Sequence, residues 1–98
     1  MKQEVLARRY TVSGRVQGVG FRNYVEHIAG NLKVDGYVRN RRDGSVEVFA
    51  IGTPERLRQL RFALEKGPMM SHVIDVREEP DTPDVRYQGD FIIEITVE

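Results

Sequence analysis

No cysteine occurs in the chain, which excludes disulfides, thiolate nucleophiles and cysteine-ligated zinc or iron–sulfur centres. Histidine is almost as scarce, and His27 and His72 are too far apart in sequence to form a metal-ligand motif. Net charge is missing too. The 15 Lys and Arg balance the 15 Asp and Glu, so there is no bulk positive field to draw the chain to nucleic acid or to an acidic membrane. Any anion site must therefore be local. No apolar run approaches the ~18 residues of a membrane span, and the N-terminal stretch lacks the apolar core of a signal peptide. The expectation is a cytoplasmic protein with no nucleic-acid or membrane partner, and a neutral surface without an apolar stripe makes a monomer the simplest state. A length of 98 residues leaves no room for a second domain, and 40% hydrophobic residues suffice for one modest core, so residues 1–98 are read as a single domain.

Glycine and proline occur singly, as punctuation between patterned segments. Leu6 to Val16 alternates as a half-buried strand, with Arg8 as its one misfit on the apolar side. From Phe21 the period lengthens, and Phe21, Tyr24, Val25, Ile28, Ala29 and Leu32 fall on one helical face that ends near Asn31 to Lys33. Val34 to Asn40 and Ser45 to Ile51 form two strands around Asp43-Gly44, a hairpin signal. Thr53 as N-cap and Pro54 at the first position open a second helix that buries Leu57, Leu60 and Leu64 and stops at Gly67-Pro68. His72 to Glu78 makes a fourth strand, Glu79 to Asp90 a loop, and Phe91, Ile93, Ile95 and Val97 a final strand. The economical fold is α+β, a ferredoxin-like β-α-β-β-α-β sandwich with two helices on one face of a mainly antiparallel sheet and a short extra strand near the C-terminus. That fold hosts many functions and names none.

Chemistry is concentrated between the first strand and the first helix, in Gly14-Arg15-Val16-Gln17-Gly18-Val19-Gly20-Phe21-Arg22. Three glycines at a strand-to-helix turn let successive N–H groups point into one concavity. The helix start adds its own unbonded N–H groups and positive dipole end, so phosphate is the natural guest. Arg22, in the first turn, can fold its guanidinium over the same anion. The spacing matches neither the dinucleotide fingerprint nor the Walker loop, which disfavours a nucleotide. An ordinary tight connection is the bland alternative. In a split β-α-β unit the first and second strands run parallel with one strand between them, so Asn40, closing the second, lies at the same end of the sheet as the loop. Its amide both donates and accepts, which suits it to hold a water beside a bound phosphate. The alternative is a turn-favouring asparagine before the hairpin.

The glycine-rich block, followed by Gly36-Tyr37-Val38-Arg39-Asn40 and Asp43-Gly44-Ser45-Val46-Glu47, resembles the acylphosphatase family over nearly the whole chain. The resemblance implies hydrolysis of a small-molecule acyl phosphate to a carboxylate and inorganic phosphate, with no metal or cofactor, on the ferredoxin-like fold. It also implies that Arg22 binds phosphate within a cradle formed by Gln17, Gly18, Val19, Gly20 and Phe21, and that Asn40 orients the attacking water. Tyr37 stands where tryptophan is usual in the family.

Such a reaction asks little of a protein, because the leaving carboxylate belongs to an acid of pKa near 4 and needs no general acid. His27 lies off the helical face of Arg22 and reads as a rim histidine, His72 likewise, and Arg39, Arg41 and Arg42 as a solvated basic hairpin. Two rivals stand beside hydrolysis. One is a non-catalytic anion-binding or accessory module, since the family fold also occurs inside larger carbamoyl-transfer proteins. The other is an RNA binder of the same topology, but such domains need paired aromatics on the central strands, and Ser45 to Ile51 offers Phe49 alone.

Overall fold

The computed structural model describes residues 4–96. Strand β1 (Leu6–Arg15) leads through a short loop into helix α1 (Phe21–Leu32), followed by β2 (Asp35–Asn40), β3 (Val46–Gly52), helix α2 (Pro54–Lys66), β4 (His72–Asp81), a 3₁₀ turn (Val85–Tyr87) and β5 (Phe91–Ile93). The sheet order is β4-β1-β3-β2-β5, antiparallel throughout except for the parallel β2/β5 edge. This is the ferredoxin-like arrangement with one added strand. β1 and β2 flank β3 and point the same way, so both end at the same edge of the sheet.

Both helices cover one face. Tyr10, Val12, Val38, Val46, Val48 and Ala50 of the sheet pack against Phe21, Val25 and Ala29 of α1 and Leu57, Leu60 and Leu64 of α2. The Tyr24 hydroxyl donates to the Ala63 carbonyl at 2.8 Å and ties the two helices together. α2 starts as its sequence predicts, with Thr53 Oγ1 accepting from the Arg56 amide and Pro54 in the first turn. The other face of the sheet is partly closed by a smaller cluster of Ala7, Phe49 and Ile51, with Tyr37 and Tyr87 packed against it. β3 is buried along its whole length because it lies under both clusters.

One expectation finds its explanation and three need correction. Arg8 does sit on the helix side of β1, but at its margin, where Glu78 pairs with it at 3.3 Å and Arg61 joins the same carboxylate at 2.8 Å. β4 runs on to Asp81, through residues expected to be loop, because its pairing with β1 continues to Ala7 opposite Asp81. An edge strand needs no apolar alternation, and Pro80 is tolerated there, so hydropathy gave no sign of it. The rest of that expected loop holds the 3₁₀ turn, capped by the Asp84 carboxylate on the Arg86 amide. The final strand is shorter than its alternation suggests. Its pairing stops at Val38 opposite Ile93, with one more bond from the Glu94 amide to the Val38 carbonyl, and Ile95 lies beyond it, 78% exposed. Val97 falls outside the described residues.

Gly14 belongs to the sheet rather than to the loop. The β1/β4 register shifts between Ser13 and Gly14, and Gly14 has φ +121°. A Cβ there would run into the His72 carbonyl and the Ile74 amide. Both the backbone angle and the close approach demand glycine. Gly14→Ala is therefore expected to destabilise the protein by about 1–3 kcal/mol, measured as a lower urea midpoint at unchanged m-value.

Candidate active site

The loop joining β1 to α1 has a backbone of alternating hand. Gly18 has φ +73° and Gly20 φ +78°, while Lys33 is the one non-glycine residue with positive φ among those described, so Gln17, Val19 and Phe21 between and beside the glycines have negative φ. Alternation of this kind turns successive N–H groups toward one side and makes an anion-binding concavity. A Cβ at Gly18 or Gly20 would meet nothing within 4 Å, so the glycines are there for their backbone angles and not for space. The start of α1 adds to the effect. Gly20 is its N-cap, no side chain caps its amides, and its first turn holds no acid. At α2, by contrast, Thr53 and Glu55 serve the same positions from within the chain. The positive end of α1 is left open.

These groups face a small pocket of about 200 Å³ lined by Val16, Gly18, Gly20, Phe21, Arg22, Asn23, Asn40 and Ile93. Residues from both sequence blocks thus meet at the shared end of β1 and β2. Arg22 is half-buried and makes no hydrogen bond or ion pair with another described residue, and it is the one charged residue of the lining. Asn40 closes β2 opposite Val46, which leaves its carboxamide available to the pocket. Gln17 and Val19, expected in the phosphate cradle, do not line the pocket. Val19 packs partly against the core. The Gln17 side chain donates to the Arg41 and Ser45 carbonyls at 2.7 and 2.9 Å, clamping the loop to the β2/β3 hairpin.

The hairpin is itself anchored from the outer face of the sheet. Glu47, 1% exposed, accepts from the Tyr37 hydroxyl in a short hydrogen bond, from Arg41 Nη1 at 2.7 Å and pairs with Arg39 Nη2 at 3.0 Å. Burial pushes the Glu47 carboxyl up, but the bonds from Tyr37 and Arg41 and the charge of Arg39 outweigh it and hold it below the usual carboxylate range. Burial and the same carboxylate push the Tyr37 hydroxyl up. Arg39 and Arg41 are consequently not a solvated basic surface but the counterions of one buried acid. Nothing in the hydropathy pattern distinguishes Glu47 from an ordinary outward-facing residue, and it escaped the sequence reading, as did Asn23 and Ile93. Ile93 could have been inferred from the topology, which sets the last strand beside β2.

His27 and His72 are exposed and lie away from the pocket, His27 beside Asn31 at 3.3 Å. A larger, mostly apolar groove of about 530 Å³ runs between α1 and α2 past Ile28, Leu32 and Phe62, and its one cation, Arg58, is ion-paired with Glu55. It offers no open anion-binding groups.

A strand-to-helix amide nest, one arginine without a described partner and the carboxamides of Asn23 and Asn40 make a pocket of this size suited to a phosphoryl group, on a ferredoxin-like sheet. Comparison with known proteins gives the family: residues 8–93 match the acylphosphatase family, and the chain belongs to it. An acylphosphatase of Koribacter versatilis (strain Ellin345) is 51% identical over 89 residues, which span 91% of this chain and 80% of that protein. The crystal structure of acylphosphatase from Bacillus subtilis superposes with a TM-score of 0.85 at 37% identity, covering 91% of this chain and 98% of that one. Full-length HypF shares the fold over 98% of this chain but 13% of its own, at 23% identity and a TM-score of 0.88. The activity that goes with the family is hydrolysis of acyl phosphates. No helix among the described residues is long and apolar enough to cross a membrane.

Because its folded pKa is depressed, the ionised Glu47 contributes stability that is complete above the unfolded value of about 4.3 and is lost as pH falls through the lower folded value. Glu47→Gln, which leaves Arg39 and Arg41 without their shared carboxylate, is expected to cost about 2–3 kcal/mol at neutral pH. Urea denaturation of both proteins at neutral pH and again at about pH 3 checks this: the gap between them should close in acid.

Proposed function

We propose that the phosphoryl group of an acyl phosphate sits in the nest of Gln17, Gly18, Val19, Gly20 and Phe21 beneath the Arg22 guanidinium, and that Asn40 holds the water that attacks it. The observation that carries this reading is the convergence of the open end of α1, Arg22 and Asn40 on one pocket. Water adds to phosphorus, the bond from phosphorus to the acyl oxygen breaks, and the products are a carboxylate and inorganic phosphate, with one proton released to solvent. The leaving group departs as a stable anion, so no acid has to protonate it. The remaining work is to bind the phosphoryl oxygens, to spread their charge as the bonds rearrange, and to align the water with the leaving oxygen. Loop amides and Arg22 serve the first two. Asn40 serves the third, accepting a hydrogen bond from the water while the rest of its carboxamide stays anchored beside the phosphate.

The same reading assigns the chain one domain, 1–98, acting as a cytoplasmic monomer with no nucleic-acid partner, supported by its balanced charge and by a family match that spans residues 8–93.

Arg22→Ala is expected to lose both binding and turnover. Asn40→Ala should keep KM within a few-fold and lose roughly 10²- to 10³-fold in kcat, the loss typical of one preorganised polar group. Steady-state hydrolysis of benzoyl phosphate in the presence of a chelator tests both, and wild-type kcat in Asn40→Ala would remove the water-positioning role. Neither a guanidinium nor a carboxamide titrates near neutrality. The kcat profile should accordingly be flat between about pH 5.5 and 8, whereas an inflection near pH 6.5 that vanished in His27→Ala would reveal a histidine base.

A further inference from the structure

One wall of the pocket has no part in phosphate chemistry. Ile93, the last residue of β5, lines the pocket together with Asn40, over a floor made by the buried side chains of Val16 and Phe21. It arrives there because β5 runs parallel to β2 and sets Ile93 opposite Val38, just before the strand reaches Asn40. Part of Ile93 packs on the core and part remains exposed. The next apolar residue, Ile95, is 78% exposed. Between them, Glu94 is engaged elsewhere: its carboxylate accepts from the Tyr87 hydroxyl at 3.0 Å, and Tyr87 packs on the opposite face of the sheet. Among the described residues the wall beside Asn40 is therefore apolar and carries no charge.

A pocket of about 200 Å³ holds a phosphoryl group with little to spare, so most of an acyl group has to extend over the rim. With the phosphoryl group on Arg22 and the water on Asn40, Asn23 and Ile93 are the uncommitted side chains of the lining that are not buried, and Ile93 is the apolar one. Resting on the reaction given above, we propose that Ile93 forms the acyl subsite and makes the chain selective for acyl phosphates with an uncharged, apolar acyl part, aromatic or branched aliphatic, over those bearing a second anionic group. An apolar acyl group gains by leaving water against Ile93. A second anion would be desolvated against isoleucine with no cation but Arg22, which the phosphoryl group already occupies.

The test is a specificity comparison across three substrates: benzoyl phosphate, acetyl phosphate and an acyl phosphate carrying a second phosphate. Wild type, Ile93→Val, Ile93→Ser and Ile93→Lys are compared, with inorganic phosphate as competitive inhibitor. Ile93→Ser is expected to raise KM for benzoyl phosphate ~10-fold more than for acetyl phosphate, the usual discrimination from a lost apolar contact. Its kcat and its inhibition by phosphate should move much less, and Ile93→Val should stay near wild type. Ile93→Lys should shift the kcat/KM ratio toward the doubly anionic substrate. Thermal melts of each variant separate a lost contact from a lost fold, since unfolding lowers all three activities in proportion. Equal changes for benzoyl and acetyl phosphate in a folded variant, or KM values that do not move, would overturn the subsite and leave the reaction standing. A folded wild type that hydrolyses none of the three would overturn the reaction and the subsite with it.

Discussion

Within Val16–Gly20 the chain has to leave a strand and enter a helix, and it does so with a backbone of alternating hand and with no side-chain cap on the helix it enters. That constraint organises the rest of the site. Left-handed angles at Gly18 and Gly20 are cheap only for glycine, and glycine brings no side chain to receive the exposed N–H groups. α2 solves the same problem internally with Thr53 and Glu55. α1 does not, and the amide groups at its start are satisfied by solvent or by a guest. An anion is the best guest, because the helix dipole and the amide array act on it together.

An open helix end becomes a site only if its partners are held still. The split β-α-β topology brings Asn40 to the same end of the sheet as the loop, but one strand lies between them, and the loop itself makes few bonds across that distance. Gln17 closes the gap. Its amide grips the carbonyls of Arg41 and Ser45 at the two ends of the hairpin, directly beyond Asn40. Glu47 then fixes Arg41 and Arg39 from the outer face. The result is a continuous set of hydrogen bonds from a buried carboxylate, through the hairpin, to Gln17 at the start of the glycine loop. A buried acid with three donors is costly to desolvate, and its cost is offset only if all three stay in place. The same requirement that stabilises Glu47 therefore keeps the hairpin rigid beside the pocket.

What the sequence made legible follows from the range over which each signal acts. The helix starts at Phe21 and Pro54, the hairpin at Asp43-Gly44 and the two site blocks rest on local rules of period, capping and turn chemistry, and each fell where those rules put it. The residues that escaped depend on neighbours distant in the chain. β4 reaches Asp81 because β1 offers it backbone partners, although its own side chains there are polar and exposed. Arg8 breaks the alternation of β1 because Glu78 lies alongside. Gly14 lies close in sequence to the loop glycines, yet what demands a glycine there is its close approach to β4. In the site, Arg22 and the glycines were legible because a strand-to-helix turn is local. Gln17 was legible as part of the loop, but its side chain acts on a hairpin that no local rule connects to it.

The distribution of charge explains how a protein with zero net charge can hold a strongly anionic group. Several cations on and beside the sheet are matched where they stand: Arg9 with Asp81, Arg8 of β1 and Arg61 of α2 with Glu78, Arg39 and Arg41 with Glu47. Among the described residues Arg22 forms no ion pair, and no described carboxylate lines its pocket. The positive charge of the lining is therefore one guanidinium beside the open end of α1, an arrangement that favours selection by fit over capture of anions at large. In the proposed reaction the fixed amide dipoles of the loop need little reorganisation as charge shifts onto the phosphoryl oxygens. Because the leaving carboxylate looks after its own charge, the proposed reaction asks for no proton-donating side chain, and the apolar edge of the lining at Ile93 is left to choose the acyl group.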